Sequence, residues 1–218
     1  VADEVRLRDG TDAWVMPLLA TDRDRLVEEF EQLSPESRRR RFLTPVVSLS
    51  DAMLHHLVDE VDGIDHVALV LFAEHDGVYD PVGIGRMVRY PAERDAADLA
   101  VTVRDDWQGR GVATGLLPVL VERRPVGVTR ILTEVAIDNP ASLAMLRRIG
   151  PTQVHDAGFG VYDVEVHLDG TPFPQEPELP TGERLHPALR ERWREAFRVR
   201  DTICPWLRAG ARPGVPKD

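Results

Sequence analysis

Residues 98–114 read DLAVTVRDDWQGRGVAT. An extended apolar run, Leu99 to Arg104, enters a turn carrying Gly109-Arg110-Gly111, and a helical run, Val112 to Val121, leaves it. A strand, glycine turn and helix in that order aim several unpaired backbone N–H groups at one point, with the positive helix end behind them. A pyrophosphate fits such a place. Gly109 and Gly111 remove side chains that would block a close approach, and Thr114 can add a hydroxyl from the first helical turn. The generic alternative is the dinucleotide turn of an oxidoreductase, which requires G-x-G-x-x-G. Here the third glycine is Gly115, one position late.

The surrounding chain alternates strands and helices. Upstream, Val5 to Arg8 and Ala13 to Leu18 read as strands about the turn Asp9-Gly10, and Thr21 caps a helix carrying Leu26, Val27, Phe30 and Leu33 at helical spacing. Ser34-Pro35-Glu36 starts a second helix, followed by Arg38 to Arg41, and Ser50 starts a third with Met53, Leu54, Leu57, Val58 and Val61. His66 to Glu74 and Val82 to Tyr90 read as strands joined through Asp76-Gly77. Downstream, Pro118 should kink the helix after the glycine turn or free one of its carbonyls. Arg130 to Ile137 is a strand, Asn139-Pro140 opens a helix through Ile149, and Val161 to Leu168 is the final strand. The fold class is therefore α/β.

Thr171 to Gly182 holds four prolines and reads as an extended linker, after which Pro187 starts a helix with Leu189, Trp193, Ala196 and Phe197 on one side. The chain divides into a domain at residues 1–170 and a linker with a helical tail at residues 171–218. The apolar stripe of the tail suits packing on its own domain or a homodimer contact.

Composition excludes several chemistries. Lys217 is the only lysine and Cys204 the only cysteine, so a P-loop, an internal Schiff-base lysine, an intrachain disulfide and a cysteine-rich zinc site are all ruled out. No nucleophile elbow is present, and His55 and His56 lack metal-ligand spacing, so no metal is expected. A net charge of -10 disfavours nucleic acid and favours a cationic partner. No apolar run is long enough to span a bilayer and the first residues do not resemble a leader, so a reducing, cytoplasmic setting with no membrane contact is expected.

Gln108-Gly-Arg-Gly111-Val-Ala113 resembles the Q/R-x-x-G-x-G/A coenzyme A loop of the GNAT superfamily of N-acetyltransferases. Val135-Ala-Ile-Asp-Asn139-Pro-Ala-Ser142 and Leu146-Arg-Arg-Ile-Gly150 are similar to that family's next strand and helix, at the expected distance. Leu33-Ser-Pro-Glu-Ser37 with the arginines up to Arg41 and Phe42 resembles a segment of bacterial protein-lysine acetyltransferases in the same superfamily. The resemblance covers roughly Val5 to Leu168 and implies an α+β mixed sheet with acetyl-CoA as cosubstrate and a primary amine, a protein lysine or a small molecule, as acceptor.

The same resemblance assigns positions. Backbone amides of Gln108, Gly109, Arg110, Gly111, Val112, Ala113 and Thr114 would hold the coenzyme pyrophosphate, and Val103 the pantetheine arm. Val101 would offer its N–H to the thioester carbonyl, where charge grows during attack. Asn139 and Ser142, at the start of the next helix, would meet the pantetheine side; Asn139 also reads as a plain N-cap. An amine with a pKa of about 10.4 must lose a proton before it attacks. In the branch resembled, a glutamate ten positions before the loop glutamine serves as base, and the matching residue is Asp98, one methylene shorter. Glu134 is held in reserve. The family's frequent tyrosine acid falls on Leu146, and a thiol with a pKa of about 8.5 leaves without much help. The rival reading is a non-catalytic coenzyme A binding or regulatory domain.

Overall fold

The computed structural model describes residues 2–169. Its strands are β1 (Asp3–Arg6), β2 (Asp12–Pro17), β3 (His66–His75), β4 (Val78–Arg89), β5 (Ala96–Val103), β6 (Arg130–Ala136), β7 (Thr152–Gly158) and β8 (Val161–His167). They form one sheet of eight strands in the order β1-β2-β3-β4-β5-β6-β8-β7. Every pairing is antiparallel except that of β5 with β6. β3 is buried along most of its length, which is why it reads as an unbroken apolar run rather than as an alternation.

Helices cover both faces. α1 (Arg23–Gln32), α2 (Pro35–Phe42) and α3 (Asp51–Leu54) lie on one, where Leu18, Met53, Leu57, Val58, Ala68 and Val70 pack together. α4 (Val112–Glu122) and α5 (Pro140–Leu146) lie on the other, over a larger core that includes Leu69, Leu71, Met87, Leu99, Leu116, Leu120 and Ile131. α4 sits close because β4 offers it glycines. A Cβ on Gly83 would come 2.6 Å from Val112 Cγ1, and one on Gly85 would come 3.0 Å from Leu120 Cδ2.

Several expected elements differ in detail. Thr21 does not cap α1: Ala20 to Asp22 form a 3₁₀ turn, and Asp22 uses its carboxylate to accept from the Leu19 N–H at 2.8 Å. Ser34 and Ser50 do cap α2 and α3, accepting from the N–H groups of Ser37 and Met53. The third helix does not run on as α-helix; His55–Asp59 form a π turn, with the Glu60 N–H bonded to the His55 carbonyl at 3.0 Å. β4 starts before Val82 and runs through Pro81, accommodated where the register shifts opposite Leu71 and Phe72. β7 has no counterpart in the sequence reading, because its residues are half-buried or exposed and carry little alternation. The linker at Thr171 to Gly182, the helix from Pro187 and the tail-mediated dimer lie outside the described residues.

On the α1–α3 face, His66 is 5% exposed and its Nε2 stands 3.2 Å from Arg86 Nη1. Burial is the chief cause that lowers the His66 pKa from 6.5 to about 3, with the charge of Arg86 next. The ring is neutral at pH 7 and accepts from the guanidinium. Between those two pH values the unfolded chain binds a proton that the folded chain refuses, so stability is whole above about pH 6.5 and falls as pH drops toward 3. By pH 5 the loss is about 2 kcal/mol. Replacing His66→Gln keeps an acceptor for Arg86 without a titration. Urea unfolding at pH 7 and pH 5 should show the pH-dependent loss shrinking by that amount; an unchanged loss contradicts the assignment.

Candidate active site

β5 and β6 pair only at Ala96 with Arg130 and Ala97 with Ile131, and then diverge. The closed end of this wedge is pinned by Arg130, whose guanidinium meets Glu93 at 2.9 Å, Asp95 at 2.9 Å and Glu165 at 3.0 Å. Burial works against its charge, but the three carboxylates outweigh that and raise its pKa. Further up, only a side chain spans the gap: Thr133 Oγ1 donates to the Leu99 carbonyl at 3.2 Å. On the opposite edge the Arg104 N–H donates to the Val82 carbonyl at 3.0 Å. Backbone groups alternate sides along an antiparallel strand, so Leu99, Val101 and Val103 turn their N–H and C=O into the gap while even-numbered residues face β4.

The turn that follows is built for close approach. Gly109 has φ +75° and Gly111 φ +101°; a Cβ on Gly111 would lie 2.8 Å from the Arg8 backbone nitrogen. Gly109, Arg110 and Gly111 donate no backbone hydrogen bond to another described residue. α4 begins at the next position with its own first N–H groups facing the same way. Arg8 donates to the Gly109 carbonyl, holding a cation at the turn. Arg110 differs from its neighbours in direction. Its side chain pairs with Asp9 at 2.6 Å and lies 3.8 Å from the ring centre of Trp107, away from the groove.

Asp105 locks the other side of the turn to α2. It accepts from the Ser34 N–H at 2.7 Å, from the hydroxyls of Ser34 and Ser37, and from Gln108 Nε2 at 3.0 Å. Burial pushes its carboxyl up, but the bonds from Ser37 and Ser34 outweigh this and hold it below the usual range. Gln108 thus spends its side chain on the loop itself. Asn139 accepts from the Ser142 N–H at 3.2 Å as an N-cap, and Arg148 crosses from the end of α5 to donate to the Thr114 hydroxyl at 3.2 Å. From the next loop, Asp138 reaches Arg39 of α2, tying the two sides of the wedge together.

A groove of about 760 Å³ runs through the wedge and is lined from both faces of the sheet. Asp98, Val101, Val103, Gln108, Gly109, Gly111, Val112, Ala113, Thr114, Asn139 and Ser142 all border it; Arg110 does not. Leu146 closes it where the resemblance expected a tyrosine, and Glu134 borders it on β6. Beyond Asp98 the wall is formed by Arg86, His56, Leu57, Arg41 and Phe42. Sequence reading did not pick out Arg8, Arg86, Arg148 or Asp105. Arg86 and Arg148 sit inside a strand and just past a short helix, where nothing in the local pattern distinguishes them from other arginines. No group of three His, Cys, Asp or Glu side chains among the described residues is placed to hold a metal ion, and no described helix is long and apolar enough to cross a membrane.

The free amides at residues 109–111, the cations Arg8 and Arg148 and the edge N–H groups of Val101 and Val103 fit a phosphate-bearing, amide-containing chain such as coenzyme A. A splayed mixed sheet with such a turn at the mouth is the scaffold on which the site is built. Residues 27–150 match the acetyltransferase (GNAT) family, and the chain belongs to it. It is 35% identical over 179 residues to the acetyltransferase Pat of Mycolicibacterium smegmatis, covering 80% of this chain and 52% of that protein. An acetyltransferase of Pseudomonas aeruginosa is 34% identical over 116 residues, 53% of this chain and 61% of that one. The chain thus spans about half the length of the first of these relatives. The crystal structure of the GNAT domain of S. lividans PAT superposes with a TM-score of 0.64 at 31% identity, covering 77% of this chain and 97% of that domain.

Gly111→Ala tests the turn. A side chain there combines a left-handed φ with a contact against Arg8, at a cost of about 1–3 kcal/mol. Calorimetry should show coenzyme A affinity lowered by about tenfold or more. Unchanged affinity would place the pyrophosphate elsewhere.

Proposed function

We propose that the protein is an acetyl-CoA-dependent N-acetyltransferase that moves an acetyl group directly to a primary amine, on a protein lysine or a small molecule. The observation that carries this reading is the pair of unpartnered edge amides, Val101 and Val103, in line with the free amides of the glycine turn. Acetyl-CoA, when bound, supplies an acetyl group activated as a thioester. The Gln108 N–H donates to the Asp105 carbonyl at 3.3 Å, so the amides of Gly109 to Thr114, with Arg8 and Arg148, hold its phosphates, and Val103 orients the pantetheine arm. Asn139 and Ser142 border that arm from α5. Val101 donates to the thioester oxygen, where negative charge grows as the amine attacks; one such donor is worth about 10²–10³ in rate.

Asp98 is half-buried and borders the groove, and its carboxylate forms no hydrogen bond or ion pair with another described residue. Its carboxylate takes the proton that the ammonium must lose, directly or through one water. The C–N bond then forms as the C–S bond breaks, and the sulfur departs as a thiolate that takes up the second proton lost by the nitrogen. Leu146 supplies no acid, which that leaving group tolerates. Direct transfer needs no nucleophilic side chain.

Asp98→Asn should leave coenzyme A binding intact and lower amine-dependent release of the coenzyme thiol by about 10²–10⁴. Binding without amine-dependent release in the unaltered protein supports the rival, a coenzyme A binding domain. Equal release by the variant moves the base to another residue, with Glu134 the next to alter.

A further inference from the structure

The acceptor side of the groove carries charge of both signs in an ordered pattern. On the sheet face toward α2 and α3, Asp98 stands level with Val88 and His66, and Arg86 stands one row along between Ala68 and Ala100. The two alanines leave room on either side of the arginine. Arg86 is 5% exposed, and both of its hydrogen bonds leave from Nη1, to the Leu57 carbonyl at 3.1 Å and to His66 Nε2 at 3.2 Å. Nε and Nη2 bond to no described residue, yet neither is sealed off, and Arg86 borders the groove that Asp98 borders. No carboxylate of a described residue pairs with this guanidinium, although Asp98 is near enough for its charge to favour it.

A buried guanidinium keeps its proton at neutral pH and costs several kcal/mol to hold without an anion. Arg41, which also borders the groove, stands close enough that its charge works against that of Arg86. The structure therefore places a guanidinium, Arg86, and a carboxylate, Asp98, one row apart on neighbouring strands of the same chamber. A plain alkyl amine satisfies only the carboxylate. A negatively charged group beside the amine fills the open donors of Arg86.

We propose that this chamber is an acceptor site for a zwitterionic amine, an amino-acid-like molecule whose nitrogen meets Asp98 and whose carboxylate meets Arg86. The proposal rests on the transferase reading above and narrows its acceptor to a small molecule with both groups. It reverses what the net charge of -10 suggests, because recognition here is local: the chamber selects for an anion beside the amine. Arg86 binds and orients the acceptor without taking part in proton transfer, so its loss should appear in the acceptor KM more than in kcat.

The test compares matched acceptors on the same protein: lysine, its carboxamide and its decarboxylated diamine, each with acetyl-CoA. The unaltered protein should favour the amino acid over the carboxamide by about tenfold or more in kcat/KM, as expected for one hydrogen bond to a charged group. That preference should collapse toward one in Arg86→Met and survive in part in Arg86→Lys. Calorimetric binding of N-acetyl-lysine against its carboxamide to the coenzyme-loaded, unaltered protein gives the same comparison without turnover or a variant. Coenzyme A binding and amine-dependent release with no preference for the carboxylate would overturn the proposal and leave the transferase reading standing. Failure to bind acetyl-CoA at all would overturn both. A preference for succinyl-CoA over acetyl-CoA that vanishes in Arg86→Met would put the carboxylate on the donor and refute the acceptor assignment.

Discussion

The parting of β5 from β6 governs the rest of the molecule. Two residue pairs hold the strands together at Ala96 and Ala97, and Arg130 with its three carboxylates keeps that end shut. Past this point β5 carries a row of unpaired peptide groups inside the fold, a condition that ordinarily costs a protein stability. Thr133 satisfies Leu99, and under the proposed function a ligand with amides of its own satisfies the rest. An antiparallel β6 at this position would leave no wedge, and a fully paired parallel one would leave no donors.

The wedge also joins the two faces of the sheet. The glycine turn, α4 and α5 lie over one face and present backbone dipoles, to which the proposed function assigns the phosphates; α2 and the π turn lie over the other and present side-chain charges. Two links keep these layers in step: Asp105 binds the start of α2 to the turn, and Asp138 binds Arg39 of α2 to the loop before α5. The proposed chemistry falls where the faces meet, along residues 98–103. The excess negative charge of the whole chain is opposed locally by the amides of the turn and by Arg8, Arg148 and Arg86, which border the groove.

The glycine turn was legible in the sequence because its requirements are local. Positive φ at Gly109 and Gly111 and a helix start directly after them leave a signature of residue types. Asp98 was legible only through its distance from Gln108 in a family pattern. Arg86 and Arg148 were not legible, because their meaning depends on register. Arg86 belongs to the site by virtue of standing opposite Ala100 on β5 and Ala68 on β3, a relation between three strands. The π turn escaped because the apolar spacing from Met53 to Val61 suits a regular helix equally well. β7 lacked a pattern because it is an edge strand with little to bury.

Amide resonances of β5 report on the central claim most directly. On titration with coenzyme A, the backbone amides of Val101, Val103 and residues 109–114 should shift together and gain protection from solvent exchange. Those of Ala100 and Thr102, already bonded to β4, should change far less. Perturbation confined to the α1–α3 face, with the Val101 and Val103 amides unmoved, would contradict the account.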